Sequence, residues 1–213
     1  MPDISGGNLF MICRKLNSEA RRTLPEGFSL RTLRPEELPL WKAFPFDSEA
    51  EAEANAADMT QYYDLVYRPQ EDVFYRSCLV VTDERDAPVA TAFLWKAYGT
   101  ITTLHWVKVK KSCEGLGIGR ALLSAVLTQA GERDFPIYLH THPACHRAIG
   151  LYLDFGFRFL REPDHIGYRS NDIEEALPYL KSHLTPKAYA AIAFDSAQES
   201  FLQAVRQTQY SQF

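Results

Sequence analysis

The segment "CEGLGIGRALL", Cys113 to Leu123, sets glycine at 115, 117 and 119, where a β-rich run gives way to apolar residues at helical spacing. Glycine reaches backbone angles closed to other residues and lets a ligand come close to the main chain. At the start of a helix such a loop offers unpaired N–H groups and partial positive charge, so it suits a phosphate. Arg120 inside the loop, with Lys110 and Lys111 before it, adds charge for the same anion. The loop ends in Gly119, Arg120, Ala121 and so lacks the GK[ST] ending of a Walker loop. A Rossmann loop belongs to a parallel βαβ unit near the start of a domain, whereas this one follows an apparent meander.

A second cluster is "LHTHPACH". His140 and His142 fall on one face of a strand, with Cys145 and His146 close behind, a spacing that could ligate zinc. The four cysteines, Cys13, Cys78, Cys113 and Cys145, are far apart, form no CxxC pair and read as reduced thiols. The acidic run Asp47, Glu49, Glu51, Glu53 and Asp58 could steer a cation, and a solvated helix face explains it equally well.

These groups need elements to carry them. The 213 residues suit one α/β core with extensions. A net charge of −4 without a basic stripe argues against a general nucleic-acid partner. The apolar run "NLFMIC" is too short for a signal core or a membrane span, which leaves the cytoplasm as the expected location. "FSLRTL" alternates like a strand, "RPEELPLWKAF" reads as a helix, and Asp47 to Val66 reads as one further helix. "RSCLVVTD", "APVATAFLW" and "TITTLHWVKV" read as three strands of an antiparallel meander. After the glycine loop come a helix from Ile118 to Thr128, with an apolar face at Ile118, Leu122, Ala125 and Val126, and the strand "FPIYLHTHP". The helix "ACHRAIGLYLDF" follows, ended by Gly156 in a left-handed cap, and then the short strands "FRFLRE" and "IGYRS". From Asn171 the chain is expected to be helical, with a capping box of Ser196 and Glu199 before an apolar face of Phe201, Leu202 and Val205.

The order of elements and the loop resemble the GNAT superfamily of N-acetyltransferases, whose cofactor motif [QR]-x-x-G-x-[GA] lies at the junction of its fourth strand and third helix. "EGLGIG" matches it with Gly117 and Gly119 at the glycine positions. "CHRAIGLYLDFGF" is similar to the family's "NxxAxxLYxxxGF", with Ala148, Leu151, Tyr152, Gly156 and Phe157 in register. The resemblance implies a mixed, mainly antiparallel sheet of α/β (α+β) class with helices on both faces. Its boundaries set an N-terminal extension at 1–26, the acetyltransferase domain at 27–170 and a helical C-terminal extension at 171–213. It also implies acetyl-CoA as co-substrate and no metal. Val107 and Val109 would contact the pantetheine arm through the main chain, and Glu114, Gly115, Leu116, Gly117, Ile118, Gly119 and Arg120 would hold the pyrophosphate. Glu114 stands where the family has Gln or Arg, and Cys145 where it often has Asn. Both changes bear on affinity for the cofactor.

Acetyl transfer to an amine needs a neutral nucleophile, a stabiliser for the oxyanion and a proton for the departing thiolate. Tyr152 matches the family position of the acid, and an ordinary packed helix tyrosine is its structural alternative. The oxyanion donor would be a backbone amide near Val107, at a strand kink. His105 is the one titratable group of suitable pKa on the third and fourth strands and is the expected base, with a buried core histidine or a water chain to a carboxylate as alternatives. Trp95, Tyr98 and Trp106 line the acceptor cleft or fill the core. The reading is direct acetyl transfer, in a ternary complex, to a primary amine of a small molecule or peptide. Its alternatives are a non-catalytic module of this fold that binds CoA or a protein partner, and a zinc-binding protein. No nucleic acid or membrane is expected as partner, and the C-terminal helices are expected to extend a homodimer interface or to cover the acceptor cleft.

Overall fold

The computed structural model describes residues 4–162, 165–208 and 210–213. In chain order the elements are β1 (Leu9–Cys13), β2 (Ser29–Thr32), α1 (Leu38–Ala43), α2 (Glu49–Ala54), α3 (Ala56–Val66), α4 (Glu71–Ser77), β3 (Leu79–Thr82), β4 (Pro88–Ala97), β5 (Ile101–Val109) and α5 (Ile118–Thr128). They continue with β6 (Ile137–Thr141), α6 (His146–Asp154), β7 (Arg158–Leu160), β8 (His165–Ile166), β9 (Arg169–Ser170), α7 (Ile173–His183), α8 (Pro186–Ala190), β10 (Phe194–Asp195) and α9 (Glu199–Gln207). Eight strands form one sheet in the order β10-β7-β1-β6-β5-β4-β3-β2. It is mixed and mainly antiparallel, as expected: β1–β6, β1–β7, β2–β3 and β3–β4 run antiparallel, and β5–β6 and β10–β7 parallel.

The chain divides into two compact units. One comprises Arg22–Trp95 and His105–Gln129. Its core is aromatic: Trp41 of α1, Tyr63 and Tyr67 at the end of α3, Phe74 of α4 and Phe93 of β4 meet edge-on or stacked, with centroids 4.9 to 6.3 Å apart. On α3 the buried residues are Met59, Tyr63 and Val66, an apolar stripe at helical spacing. The single helix expected from Asp47 to Val66 is broken at Asn55 (φ −105°, ψ 5°). There the Glu51 carbonyl accepts from both the Asn55 N–H at 3.1 Å and the Asn55 side chain at 2.8 Å. On α5 the buried set is broader than the expected stripe, since Ala121, Leu123 and Leu127 are buried beside Ile118, Leu122 and Val126.

The other unit comprises Met1–Arg21, Lys96–Leu104 and Ala130–Phe213. Here the sequence boundaries give way. "LFMIC", inside the expected N-terminal extension, is β1, all five residues buried between β6 and β7. An unbroken apolar run is what a strand covered on both faces requires. The C-terminal segment is not purely helical either: β10 pairs with β7, Phe194 opposite Phe159. The expected capping box is absent, because α9 starts from Gln198, and the Ser196 carbonyl instead accepts from Arg14 at 2.8 Å. Phe201 and Val205 do bury as expected, against Phe10, Ile12, Tyr138 and Leu160, with Phe201 stacked on Tyr138 at 4.0 Å. Gly156 ends α6 at φ +96°, as expected, and a Cβ there would lie 2.9 Å from the Lys15 carbonyl.

Candidate active site

Strand β5 and helix α5 carry the glycine loop of the first unit. Lys111–Cys113 make one 3-10 turn after β5, and Gly115 (φ +81°) and Gly117 (φ +85°) then take left-handed angles that L side chains rarely adopt. Gly117 is the N-cap of α5, which receives no side-chain cap. The first-turn N–H groups of a helix have no acceptor within that helix, so those of Ile118 and Gly119 lead into the loop. Leu116 is 52% exposed at the tip. Glu114 is exposed, and Arg120 is half-buried with its carbonyl accepting from Ser124 at 2.8 Å. A Cβ built on Gly115 or Gly117 meets no atom within 4 Å, so the surface over these amides is open. Uncapped amides, left-handed glycines and clear space fit a pyrophosphate.

Just ahead of the loop, β5 contains Trp106 at φ +48°, a genuine outlier for a bulky residue. Val107 and Val109 follow it, half-buried. Trp106 Nε1 donates to Tyr67 Oη at 2.7 Å, and the same oxygen lies 2.6 Å from His105 Nδ1. Burial pushes the Tyr67 hydroxyl well above the ordinary tyrosine range. His105 is 3% exposed, and desolvation lowers its pKa to about 3. A histidine so weakly basic does not take a proton from an ammonium at neutral pH, so the base role expected of it does not suit this environment. It belongs to a buried polar network, with Tyr67, that holds the backbone of β5. Sequence reasoning missed Tyr67, and only its place in the tyrosine-rich run "QYYDLVY" hinted at it.

Two residues of the acidic run, Asp47 and Glu51, have partners within the unit. Asp47 pairs with Lys108 at 2.6 Å, and this lysine holds its carboxyl below the usual range. Glu51 accepts from the Asp47 N–H at 3.2 Å while Ser48 Oγ accepts from the Glu51 N–H at 3.3 Å, a reciprocal cap on α2. Of the three aromatics, Trp95 is buried in the aromatic core and Trp106 is half-buried in the β5 network. Tyr98 belongs to the other unit, where its ring meets Phe213 at 6.2 Å.

Tyr152, Cys145 and Ala148 also belong to the other unit, on α6 and the 3-10 turn before it. Tyr152 is 5% exposed, and burial followed by the neighbouring Cys145 raises its pKa, so the phenol keeps its proton at neutral pH. Cys145 is exposed and precedes the first residue of α6. His140 Nε2 donates to Asn8 Oδ1 at 2.9 Å, His142 Nδ1 donates to the Gly7 carbonyl at 2.9 Å, and the two rings lie 4.8 Å apart. Among the described residues no group of three or more His, Cys, Asp or Glu is placed to hold a metal ion. No described helix is long and apolar enough to cross a membrane.

With this geometry in view, residues 38–157 match the model of the acetyltransferase (GNAT) family. The match spans more than half of the chain, and the chain belongs to that family. No curated protein matches it. Similar solved structures include a GCN5-related N-acetyltransferase from Sphaerobacter thermophilus, at 19% identity and TM-score 0.42, covering 63% of this chain and 42% of that one. A GCN5-related N-acetyltransferase from Kribbella flavida is 17% identical with TM-score 0.39, covering 64% of this chain and 48% of that one. A conserved protein of unknown function from Staphylococcus epidermidis is 18% identical with TM-score 0.48, covering 72% of this chain and 57% of that one. The chain thus spans less than two thirds of the length of each of these relatives.

Proposed function

We propose that the chain transfers the acetyl group of acetyl-CoA directly to a primary amine. The observation that carries this reading is the pair of left-handed glycines at the uncapped start of α5, in a chain whose family is an acetyltransferase family. When bound, acetyl-CoA supplies the activated thioester. The amides of Gly115 to Arg120 hold its pyrophosphate, helped by the Arg120 guanidinium and by the helix dipole. Val107 and Val109 bind the pantetheine arm through their backbone groups, as an added strand does. The Val107 N–H, next to the strained Trp106, stabilises the oxygen that gains charge during transfer. Tyr152, at the position of the second motif's tyrosine, donates the proton that the departing thiol needs. Cys145 and Ala148 take the cofactor-side positions of the second motif, and His105 serves as a positioning residue.

Calorimetric titration of acetyl-CoA into the wild type and into Gly117→Glu tests the cofactor site. Binding in the wild type that is lost in the variant is the expected result, since the change puts a carboxylate and a disfavoured backbone angle into the anion loop. Equal affinity in both proteins would refute the assignment of the loop.

A further inference from the structure

Between α1, the segment after it and the end of β5 lies a groove of about 290 Å³, all of it within the first unit. Its apolar wall is Leu40, Phe44 and Phe46, and its polar wall is Asp47 with Lys108, Lys110 and Lys111. Lining charge is therefore three cations against one anion. Asp47 and Lys108 satisfy one another at 2.6 Å, which fixes both and leaves the charge of Lys110 and Lys111 as the excess. Lys110 Nζ stands 5.5 Å from the centroid of the Phe44 ring, so a cation and an aromatic face are presented side by side.

This combination selects a ligand by chemistry. A polycationic amine is repelled by the lysines. A neutral apolar amine fills the aromatic wall and leaves the lysines unused. A small molecule with an apolar side chain and a carboxylate uses both walls. The volume sits at the low end of ligand pockets, about 300 to 1,000 Å³, so it admits a ligand of amino-acid size and not a nucleotide. Lys108 follows Val107 directly in β5, so the polar wall of the groove begins on the same strand as the amide assigned to the oxyanion. We infer that this groove is the acceptor site and that the acceptor is an apolar or aromatic α-amino acid, held by its carboxylate. The inference rests on the transfer reading above for the word acceptor, and on the groove alone for the ligand class.

The test is calorimetric titration of L-phenylalanine, L-phenylalaninamide and spermidine into the full chain, with and without CoA. L-phenylalanine is expected to bind at least tenfold more tightly than its amide, and spermidine not to bind. Lys110→Met keeps the side-chain length over Phe44 and removes the charge. It should weaken L-phenylalanine about tenfold while leaving the amide unchanged, about 1.4 kcal/mol by the affinity relation. Lys111→Gln gives a second, exposed variant with the same expected direction. Equal affinity for acid and amide, a preference for spermidine, or unchanged L-phenylalanine binding in both variants would overturn the inference. So would a loss of acetyl-CoA affinity in Lys110→Met with L-phenylalanine unaffected, because the lysines would then serve the cofactor phosphates. Binding of L-phenylalanine by a chain that does not bind acetyl-CoA would refute the transfer reading and leave the ligand class standing.

Discussion

Removing one oxygen, in Tyr67→Phe, tests the account of β5. The ring packs against Phe74 at 4.9 Å and Trp95 at 5.0 Å, so the phenylalanine ring keeps its neighbours and no cavity opens. What is lost is the partner of Trp106 Nε1 at 2.7 Å and of His105 Nδ1 at 2.6 Å. A buried polar group left without a partner costs about 1 to 3 kcal/mol, and Trp106, half-buried, belongs at the lower end. Together the two amount to about 2 to 4 kcal/mol, which for a chain of this size lowers Tm by roughly 5 to 15 °C. The substitution also loosens Trp106, whose left-handed angle stores about 1 to 3 kcal/mol and persists only while its surroundings hold it. Relaxation of that strand would misalign the Val107 amide, so kcat should fall, and the affinity for acetyl-CoA should weaken with it because the same backbone binds the pantetheine arm. Thermal unfolding by circular dichroism at pH 7 gives the first quantity, and steady-state thiol release the second. Combined with Trp106→Phe in a double-mutant cycle, the pair should show a coupling of about 0.5 to 3 kcal/mol. A Tm change under about 1 °C, or strictly additive single changes, would refute the network as the support of β5.

Acidification should destabilise the fold before the carboxylates titrate. His105 and His140 have folded pKa values lowered by burial to about 3 and about 2, from an ordinary 6.5. Between those values and 6.5 the unfolded chain binds protons that the folded chain refuses, so stability is present above 6.5 and is lost downward at about 1.4 kcal/mol per pH unit for each histidine. Chemical denaturation between pH 7 and 5 should show this slope, and a flat profile would contradict the burial of both rings. Gly156→Ala should cost about 2 to 4 kcal/mol, since it combines a left-handed angle with a Cβ pressed on the Lys15 carbonyl; a loss under about 1 kcal/mol in urea unfolding would argue against that close approach. Tyr152→Phe should lower kcat by about a hundredfold with the KM for acetyl-CoA unchanged. Wild-type turnover in this variant would remove the phenol from the chemistry.

The parts of the molecule legible in its sequence are those whose signal is local. Gly115 and Gly117 announce themselves because few other residues tolerate their angles, and the apolar runs of β3 to β5, set apart by short turns, announce strands. Gly156 likewise marks the end of α6 where it falls. β1 was opaque because five consecutive apolar residues have no period, and its partners β6 and β7 lie more than 120 residues further along the chain. The break at Asn55 lies in one residue's backbone angles, inside a run of helix formers that carries no glycine or proline. The character of His105 was hidden for a different reason. Its partner Tyr67 is 38 positions away, and only the folded aromatic core decides whether the imidazole meets solvent or a phenol. The groove beside Phe44 has the same cause, since α1 and the end of β5 become neighbours only through packing.

The two-residue strand β10 has a consequence for how the molecule behaves in a crowded solution. It caps β7, accepting the Phe159 N–H on the Ala193 carbonyl and the Arg161 N–H on that of Asp195. Arg14 grips Asp195 at 3.0 and 3.2 Å, and the Arg161 guanidinium lies 3.9 Å from the Phe194 ring centroid. The sheet therefore ends on a strand too short and too charged to recruit another chain, whereas β7 without it would present Phe159 and Leu160 on an unpaired edge. β10 thus covers the edge of β7, and a chain shortened before Ala193 should self-associate through β7 more than the whole chain does, a difference that size-exclusion chromatography reads.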